Sequence, residues 1–417
     1  MILFELFLLL FVIFYLVRRL NRAAATGDLV GFLLNPMLYF LVFAVLYLLV
    51  ANIFVEFGAY QILLTGLPGN VDEITDSNLY VLIYFVGVFF CYILTADLKG
   101  VKFKPLIYNG FNESCFLLLS LIIFLFSFYL CIKYGGTLLS LRADRSIVYE
   151  YFATQVYLPY RVGVIVNVYS ALLVILIFSR RKLSRAIVLL PFICFVALDF
   201  MQGGRSIIIR LFIIVYLCFA ILNNKTYLKS SIIAVFSLGV LPVLSRFTDG
   251  DGFHSLFIVF GEFIYTRVTV DYVIYHGFNG DSVYLFLKYF FSLLPGVIGN
   301  SFVGEEVNYR EMVADASGLS FGLAGNIVAE SFFYLGNFFI VTLIFIFFTA
   351  KVFYLKSTVG RLPFVIGLII FISNVQNIFR TSFFEFGLVI FYLMISYLCI
   401  FTVLLWKKRI YHGGVHD

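Results

Sequence analysis

Residues 1–22 read MILFELFLLLFVIFYLVRRLNR, an apolar run over residues 1–17 that is followed by Arg18, Arg19 and Arg22. A helix of about this length can cross the hydrocarbon core of a bilayer. A cleaved secretory signal carries its positive charge before the apolar run and small residues after it. Because the order is reversed here, we predict a retained first membrane span whose amino terminus lies outside.

Further apolar runs of similar length follow along the chain, which is 63% hydrophobic and only 12% charged. A soluble domain of 417 residues does not have this composition. The predicted spans are 1–17, 30–50, 79–96, 111–132, 162–178, 186–202, 207–222, 230–246, 336–355, 363–380 and 386–405. The sequence therefore predicts an all-α polytopic membrane protein with about eleven transmembrane helices (10–12), forming a single integral-membrane domain over 1–417.

The Lys and Arg residues divide into two sets when these spans are laid end to end. Ten Lys and eight Arg fall in short loops on one side, which the positive-inside bias assigns to the cytoplasm: Arg18, Arg19, Arg22, Lys99, Lys102, Lys104, Arg180, Arg181, Lys182, Arg185, Lys225, Lys229, Lys351, Lys356, Arg361, Lys407, Lys408 and Arg409. Nine Arg and two Lys remain on the other side: Lys133, Arg142, Arg145, Arg161, Arg205, Arg210, Arg246, Arg267, Lys288, Arg310 and Arg380. Arginine binds phosphate through two parallel hydrogen bonds, so an outer side rich in arginine suggests a phosphate-bearing ligand. The net charge of +6 is concentrated at span ends, which argues against nucleic-acid binding.

The outer loops differ in length and charge. The first, at about 51–78, contains no Lys or Arg, whereas two longer periplasmic loops are predicted at 133–161 and 247–335. The last loop contains apolar stretches at 255–265 and 283–299. If only one of them crossed the membrane, every later charge cluster would move to the wrong side. Either both stretches cross or neither does, and a model in which both cross leaves the connection 276–282 inside without a Lys or Arg. We therefore prefer interfacial or re-entrant helices lying on the outer face.

A tight outer turn, Gly203-Gly204-Arg205-Ser206, separates two predicted spans, with Asp199 before it and Arg210 after it. Glycines allow the backbone to approach a ligand, and charged groups at membrane depth tend to mark function. Arg205 is therefore a candidate ligand-binding residue. The alternative is an ion pair between Asp199 and Arg210 that joins two helix ends.

A second polar patch lies at the outer end of the tenth predicted span and includes Asn374, Asn377 and Arg380. A run of amides and charge within a span indicates a water-filled cavity, although Arg380 could simply pair with Glu385. In the late loop, Arg267 and Asp271 stand at i, i+4 and could form a pair.

Candidate acid–base and metal-binding groups also lie in the late loop. Glu330, a carboxylate close to the membrane, is a candidate general base. Asp249-Gly250-Asp251 has the shape of a metal–diphosphate motif, but a single short match is weakly specific. The cysteines and histidines show no metal-ligand spacing, so we predict no metal site.

The chain resembles bacterial Wzy-type polymerases of O-antigen or capsular oligosaccharide repeat units. The resemblance rests on the number of spans, the long late loop, the Gly204-Arg205-Ser206 turn, and Ala329-Glu330 followed by Tyr334-Leu335-Gly336. It implies a GT-C-like fold and a metal-independent inverting glycosyltransferase, located in the bacterial inner membrane with its active site on the periplasmic side. The implied substrate is an oligosaccharide linked to undecaprenyl diphosphate, with no further cofactor. The implied partners are membrane lipid and possible chain-length regulator and flippase proteins of the same pathway.

This resemblance gives expected roles to individual residues. Arg205, Arg267, Arg310 and Arg380 are expected to bind the diphosphate, and either Glu330 or His254 is expected to deprotonate the acceptor hydroxyl. Weaker candidates for substrate binding are Arg142, Arg145, Arg246 and Asn377. Two alternatives remain open, an O-antigen ligase, for which His254 is a candidate base, and a flippase for lipid-linked oligosaccharides. A flippase should show related halves around a central cavity, and the sequence shows no such internal repeat.

Overall fold

The computed structural model describes residues 2–58, 77–96, 113–141, 145–157, 159–178, 184–203, 206–223, 252–275, 325–358 and 362–380. The α-helices are α1 (Ile2–Thr26), α2 (Leu29–Leu33), α3 (Pro36–Ala44), α4 (Ala51–Glu56), α5 (Ser77–Ala96), α6 (Glu113–Leu141), α7 (Arg145–Tyr151), α8 (Val162–Phe178), α9 (Ser184–Met201), α10 (Ser206–Asn223), α11 (Gly252–Tyr275), α12 (Ile327–Leu335), α13 (Ile340–Thr358) and α14 (Leu362–Arg380). Two π-helices, π1 (Val45–Val50) and π2 (Phe152–Tyr157), and a 3₁₀ turn (Gly336–Phe338) connect some of them. No strand occurs among these residues, so the predicted all-α class is confirmed.

Six helices in the described ranges are long and apolar enough to cross a membrane: Pro36–Glu56, Ser77–Thr95, Phe116–Leu141, Ser206–Asn223, Ile340–Thr358 and Pro363–Arg380. Shorter apolar helices occupy Val162–Phe178 and Leu189–Met201. Nine of the predicted spans fall on helices, and those at 230–246 and 386–405 lie outside the described residues. The chain is an all-α integral membrane protein.

Helices at the surface of the protein expose apolar side chains, as contact with lipid requires. On α6, Leu118, Leu121, Ile122 and Leu125 are exposed at helical spacing. By contrast, α8 is buried along nearly its whole length. Large apolar side chains that point away from the protein would be costly in water but not in hydrocarbon.

The second span begins six residues later than predicted because of two residues at its start. Asn35 is the N-cap of α3, and its side chain accepts a hydrogen bond from the backbone N–H of Met37 at 3.0 Å. Pro36, at the first helical position, lacks the N–H that this position leaves unpaired. The helical segment therefore runs from Pro36 to Glu56, and its last turn occupies part of the predicted outer loop.

The region predicted as a periplasmic loop over 133–161 contains much helix. Helix α6 continues nine residues beyond 132, and α7 and π2 occupy 145–157. Gly135 and Gly136 do not end α6. The glycine at position 135 serves helix packing. Helix α9 approaches so closely that an added Cβ atom would lie 2.8 Å from Met201 Sδ.

The chain forms two compact units. Unit 1 comprises Met1–Lys102, Tyr227–Tyr354 and Asn374–Leu388, and unit 2 comprises Phe103–Thr226, Leu355–Ser373 and Val389–Asp417. The contacts described below lie within one unit or the other.

Hydrogen bonds in unit 1 join helix ends that the sequence places on the same side of the membrane. On the predicted inner side, Asn35 Nδ2 donates to Thr95 Oγ1 at 3.2 Å, and Tyr354 Oη donates to the Gly31 carbonyl at 3.1 Å. On the predicted outer side, the Asn52 amide donates to Glu5 at 3.3 Å, and the Asn78 amide donates to Glu56 at 3.1 Å. These contacts agree with the alternating helix directions derived from the charges.

Unit 2 shows the same agreement independently. Cys131 Sγ on α6 donates to the Cys194 carbonyl on α9 at 3.3 Å, and Gly135, four residues later, lies beside Met201. The two helices therefore run in the same direction, as predicted. Helices α8 and α10 are both predicted to run opposite to α6 and α9. They meet near their starts, where Arg210 Nη1 donates to Asn167 Oδ1 at 3.3 Å.

Helix α11 is inserted along the second span instead of lying flat on the outer face. The ring centroids of Phe263 and Tyr47 are 4.7 Å apart, and Arg267 Nε lies 2.5 Å from Asn52 Oδ1. Tyr47 lies at the middle of the 36–56 helix and Asn52 near its outer end. These contacts place this part of 255–265 at membrane depth, which argues against the interfacial arrangement.

Adjacent glycines in α6 provide a matched test of this packing. Gly136→Ala should stabilise the protein by about 1 kcal/mol, because a Cβ there meets nothing within 4 Å and Ala favours helix. Gly135→Ala should lose that gain, because Met201 must move. Thermal unfolding of both variants in detergent measures the difference. Equal stabilisation by the two changes would contradict the close α6–α9 approach.

Candidate functional site

Arg267 is the centre of a buried polar network at the outer ends of the unit 1 helices. Its side chain is 0% exposed. Nε donates to Asn52 Oδ1 at 2.5 Å, and Nη2 donates to Ser77 Oγ at 2.7 Å and to Asn78 Oδ1 at 2.5 Å. Nη1 forms an ion pair with Asp271, which also accepts a hydrogen bond from Ser77. The predicted Arg267–Asp271 pair is confirmed, and four of the five guanidinium N–H groups bind protein atoms.

Tyr47 and Asn52 of the second span both face α11, although they lie five residues apart. The π-helix π1, which precedes Asn52, explains this. In an α-helix, positions i and i+5 are about 140° apart around the axis. In π1 the hydrogen bonds run from i to i+5, which brings such positions onto one face. Tyr47 therefore contacts Phe263 while Asn52 contacts Arg267, one turn further along α11.

Two further carboxylates border the network. Glu5 is 0% exposed and accepts a hydrogen bond from Asn52 at 3.3 Å, while its Oε2 atom has no hydrogen-bond partner in the structure. Glu56 accepts a hydrogen bond from Asn78 at 3.1 Å. Glu5 and Val12 are the two buried residues of α1, which also packs Phe11 and Tyr15 against Phe89 of α5.

Glu330 is buried at the same end of unit 1, with 1% of its surface exposed. It lies in the first turn of α12, where Asn326 is the N-cap and accepts from the Val328 N–H at 2.9 Å. The helix dipole favours negative charge at this position. Gly336, with a positive φ of 51°, ends the helix in a conformation that glycine adopts readily.

Contacts on either side of Glu330 fix its depth. Ser331 shares a hydrogen bond of 2.7 Å with Thr342 at the start of α13, and Phe332 packs edge-on against Tyr80 in the first turn of α5, at 5.1 Å. Both partners are at helix ends predicted to lie outside. Helix α12 also packs against α11, which carries Arg267. Glu330 therefore lies at the same end of unit 1 as the helix ends that the sequence predicts to be outside.

The polar end of α14 lies deeper than predicted. Phe379 packs against Phe40 at 4.6 Å and against Tyr47 at 6.0 Å, which places it beside the first half and the middle of the second span. Asn377 and Arg380 are half-buried there. Unit 1 therefore contains Arg267, Glu330, Asn377 and Arg380, four of the residues predicted to act on the substrate.

In unit 2, the turn at Gly203 is organised by Asp199. This buried carboxylate accepts hydrogen bonds from Gln202 Nε2 at 2.7 Å and from the Ile208 N–H at 3.0 Å, and so caps the start of α10. Gly203 has a positive φ of 73°. Since Asp199 occupies this helix N-terminus, a phosphate at the turn would have to be held by side chains and not by the Ile208 amide.

Arg210 is also buried, and its Nη1 donates to Asn167 Oδ1 at 3.3 Å. This bond joins α10 to α8. An ion pair between Asp199 and Arg210, the alternative to a ligand-binding role for this turn, stays a prediction.

Several predicted site residues lie outside the described residues: Arg142, Arg205, Arg246 and Arg310. The same holds for the side chains of Arg145 and His254, whose backbones lie in α7 and α11. Within the ranges that the structure describes, no three His, Cys, Asp or Glu residues are grouped as a metal site would require. Asp249 and Asp251 are not in those ranges.

The partners of Arg267 on other helices were not predicted from the sequence: Asn52, Ser77 and Asn78. A polar residue within an apolar run was the available signal for Asn52, because amides in a membrane span need partners. Ser77 and Asn78 were assigned to the end of a loop, where they gave no signal.

No protein-family model, curated protein or solved structure matches this chain. The class of protein is therefore established by its own fold, an all-α integral membrane bundle with buried charged networks. The activity is inferred from the chain's own residues.

Proposed function

We propose that this protein polymerises oligosaccharide repeat units carried on undecaprenyl diphosphate, on the periplasmic face of the bacterial inner membrane. The growing chain is transferred from its lipid diphosphate to a new lipid-linked unit, giving O-antigen or capsular polysaccharide. The observation that carries the proposal is Glu330, a buried carboxylate at the outer end of an apolar bundle. The predicted excess of arginine on that side of the membrane supports it, because a diphosphate donor needs permanent positive charge.

In the proposed reaction, the Glu330 carboxylate takes the proton of the acceptor hydroxyl. The acceptor oxygen attacks the anomeric carbon of the donor, and the bond from that carbon to the diphosphate oxygen breaks with inversion. Undecaprenyl diphosphate leaves with the bonding electrons. Arginines stabilise the charge that develops on this leaving group. Arg205, Arg310 and Arg380 stay as predicted candidates for this role.

Arg267 receives a different role from the one expected of it. Its guanidinium is fully buried and bound by four side chains from three helical segments. A direct contact with phosphate would require these bonds to break. We therefore propose that Arg267 holds the outer ends of α4, α5 and α11 together, so that the helices around Glu330 keep their positions.

Deletion of the gene, followed by gel analysis of lipopolysaccharide, tests the function. A polymerase predicts core that carries a single repeat unit, with the full ladder restored by the wild-type gene. Core without any repeat unit, with polymer accumulated on the lipid carrier, would instead identify a ligase. Absence of repeat units from the outer leaflet would identify a flippase.

A further inference from the structure

Lys133 lies on a face of α6 that is otherwise apolar and exposed to lipid. The neighbouring exposed residues on this face are Leu125, Phe128, Tyr129 and Ile132. A cation on such a face is costly unless it reaches water or an anion. The charge of Lys133 therefore requires an explanation that the proposed reaction does not supply.

The depth of Lys133 is fixed by its neighbours in unit 2. Gly135, two residues later, lies beside Met201, the last residue of α9. Tyr160, which contacts Lys133, lies two residues before the start of α8. Lys133 is therefore level with the outer ends of two apolar helices, at the depth where lipid headgroups lie.

Three tyrosines hold the ammonium group in place. Nζ donates to Tyr160 Oη at 3.0 Å and lies 5.5, 4.9 and 5.7 Å from the ring centroids of Tyr129, Tyr134 and Tyr160. A snorkelling lysine extends freely towards water, whereas this one is held among three tyrosine side chains, with one of their hydroxyls as hydrogen-bond acceptor. Behind it, Tyr134 donates to Tyr160 at 3.0 Å and packs against Tyr151.

The hydrogen-bond inventory leaves donors available for an anion. An ammonium has three N–H donors, and the bond to Tyr160 uses one of them. The Tyr160 oxygen accepts from both Lys133 and Tyr134, so its own O–H is left to donate. The positive charge of the ammonium, which neutral phenols do not cancel, and the Tyr160 O–H therefore remain at one exposed point on the lipid-facing surface.

We propose that Lys133 and Tyr160 form a binding site for the phosphate group of an outer-leaflet lipid. A phosphate oxygen accepts charge-assisted hydrogen bonds from such donors, while the acyl or polyprenyl chain lies along the apolar face of α6. The site faces the lipid, which favours a lipid phosphate over a soluble one. Both a phospholipid and a polyprenyl phosphate carry this group. The inference does not depend on the proposed polymerase activity.

Native mass spectrometry of the purified full-length protein, with added lipid, tests the site. The probes are phosphatidylglycerol, undecaprenyl phosphate and diacylglycerol, which lacks phosphate. We expect Lys133→Met to weaken binding of one or both phosphate lipids about fivefold, as for one cation at a membrane surface. Tyr160→Phe should weaken it less, and diacylglycerol should bind weakly throughout. The lipid whose binding falls identifies the natural source of the phosphate.

Lys356→Met is the matched control, because it removes the same charge from an exposed helical position on α13. Lys133 is exposed, so its replacement should leave the protein folded, which a monodisperse elution peak confirms. Unchanged binding of both phosphate lipids by the Lys133→Met protein would overturn the proposal. An equal loss in the Lys356→Met protein, or diacylglycerol binding as well as phosphatidylglycerol does, would also overturn it.

Discussion

Replacing Arg267 with Met is expected to destabilise the folded protein by about 3–5 kcal/mol, the typical cost of removing one partner from a buried ion pair. The change leaves Asn52, Ser77 and Asn78 without the donor that joins them. Arg267→Lys should restore only part of the loss, because an ammonium cannot reach the same set of acceptors in a plane. The measurement is the fraction of monodisperse protein after heating in detergent, without substrate.

Arg22→Met serves as the control, since Arg22 is exposed at the predicted inner end of α1. That variant should behave like the wild-type protein. The two roles considered for Arg267 predict different results. If Arg267 bound the diphosphate directly, its loss would abolish activity in a protein of normal stability. A fully stable Arg267→Met protein would contradict the structural role.

Replacing Glu330 with Gln is expected to reduce polymer formation about 10²- to 10⁴-fold, the usual contribution of a general base. Glutamine keeps the size of the side chain but lacks a basic oxygen at neutral pH. The start of α12 should persist, because the Asn326 cap is independent of the carboxylate. The measurement is polymer length in complemented cells, together with binding of the lipid-linked donor, which should be unchanged.

Ser331→Ala is the matched control for this experiment. Ser331 is the next residue on the same helix, is equally buried, and bonds to Thr342. Its loss should reduce stability and leave polymer length close to normal. A Glu330→Gln protein that polymerises at the wild-type rate would remove Glu330 as the base and leave His254 as the remaining candidate.

Much of the helix arrangement could be predicted from the sequence, because apolar length and loop charge are local properties. The limits of the spans were harder to predict. Helix α1 continues to Thr26, past Arg18, Arg19 and Arg22, because Ala23 to Ala25 are strong helix formers. Helix α6 continues past Lys133, whose charge is held by Tyr129 and Tyr134 of the same helix and by Tyr160 from the following segment.

The polar network could be predicted only in part. Arg267 and Asp271 are four residues apart, so their pairing follows from helical periodicity. Asn52 and Ser77 are separated from Arg267 by 215 and 190 positions, and no local pattern indicates which polar residues will meet. These long-range contacts bury Arg267. Its proposed role is therefore structural, although the sequence predicted that it binds the diphosphate. The position of Glu330 close to the membrane could be predicted, because Ala329-Glu330 precedes an apolar span directly.

Polymerisation by the purified protein tests the central claim most directly. The protein would be placed in lipid nanodiscs with a repeat unit linked to undecaprenyl diphosphate as both donor and acceptor, in the presence of a chelator. We predict a ladder of lipid-linked products with two or more units, and release of one undecaprenyl diphosphate for each bond formed. A folded protein that yields no ladder would contradict the account. A ladder that appears only after magnesium or manganese is added would contradict its metal-independent chemistry.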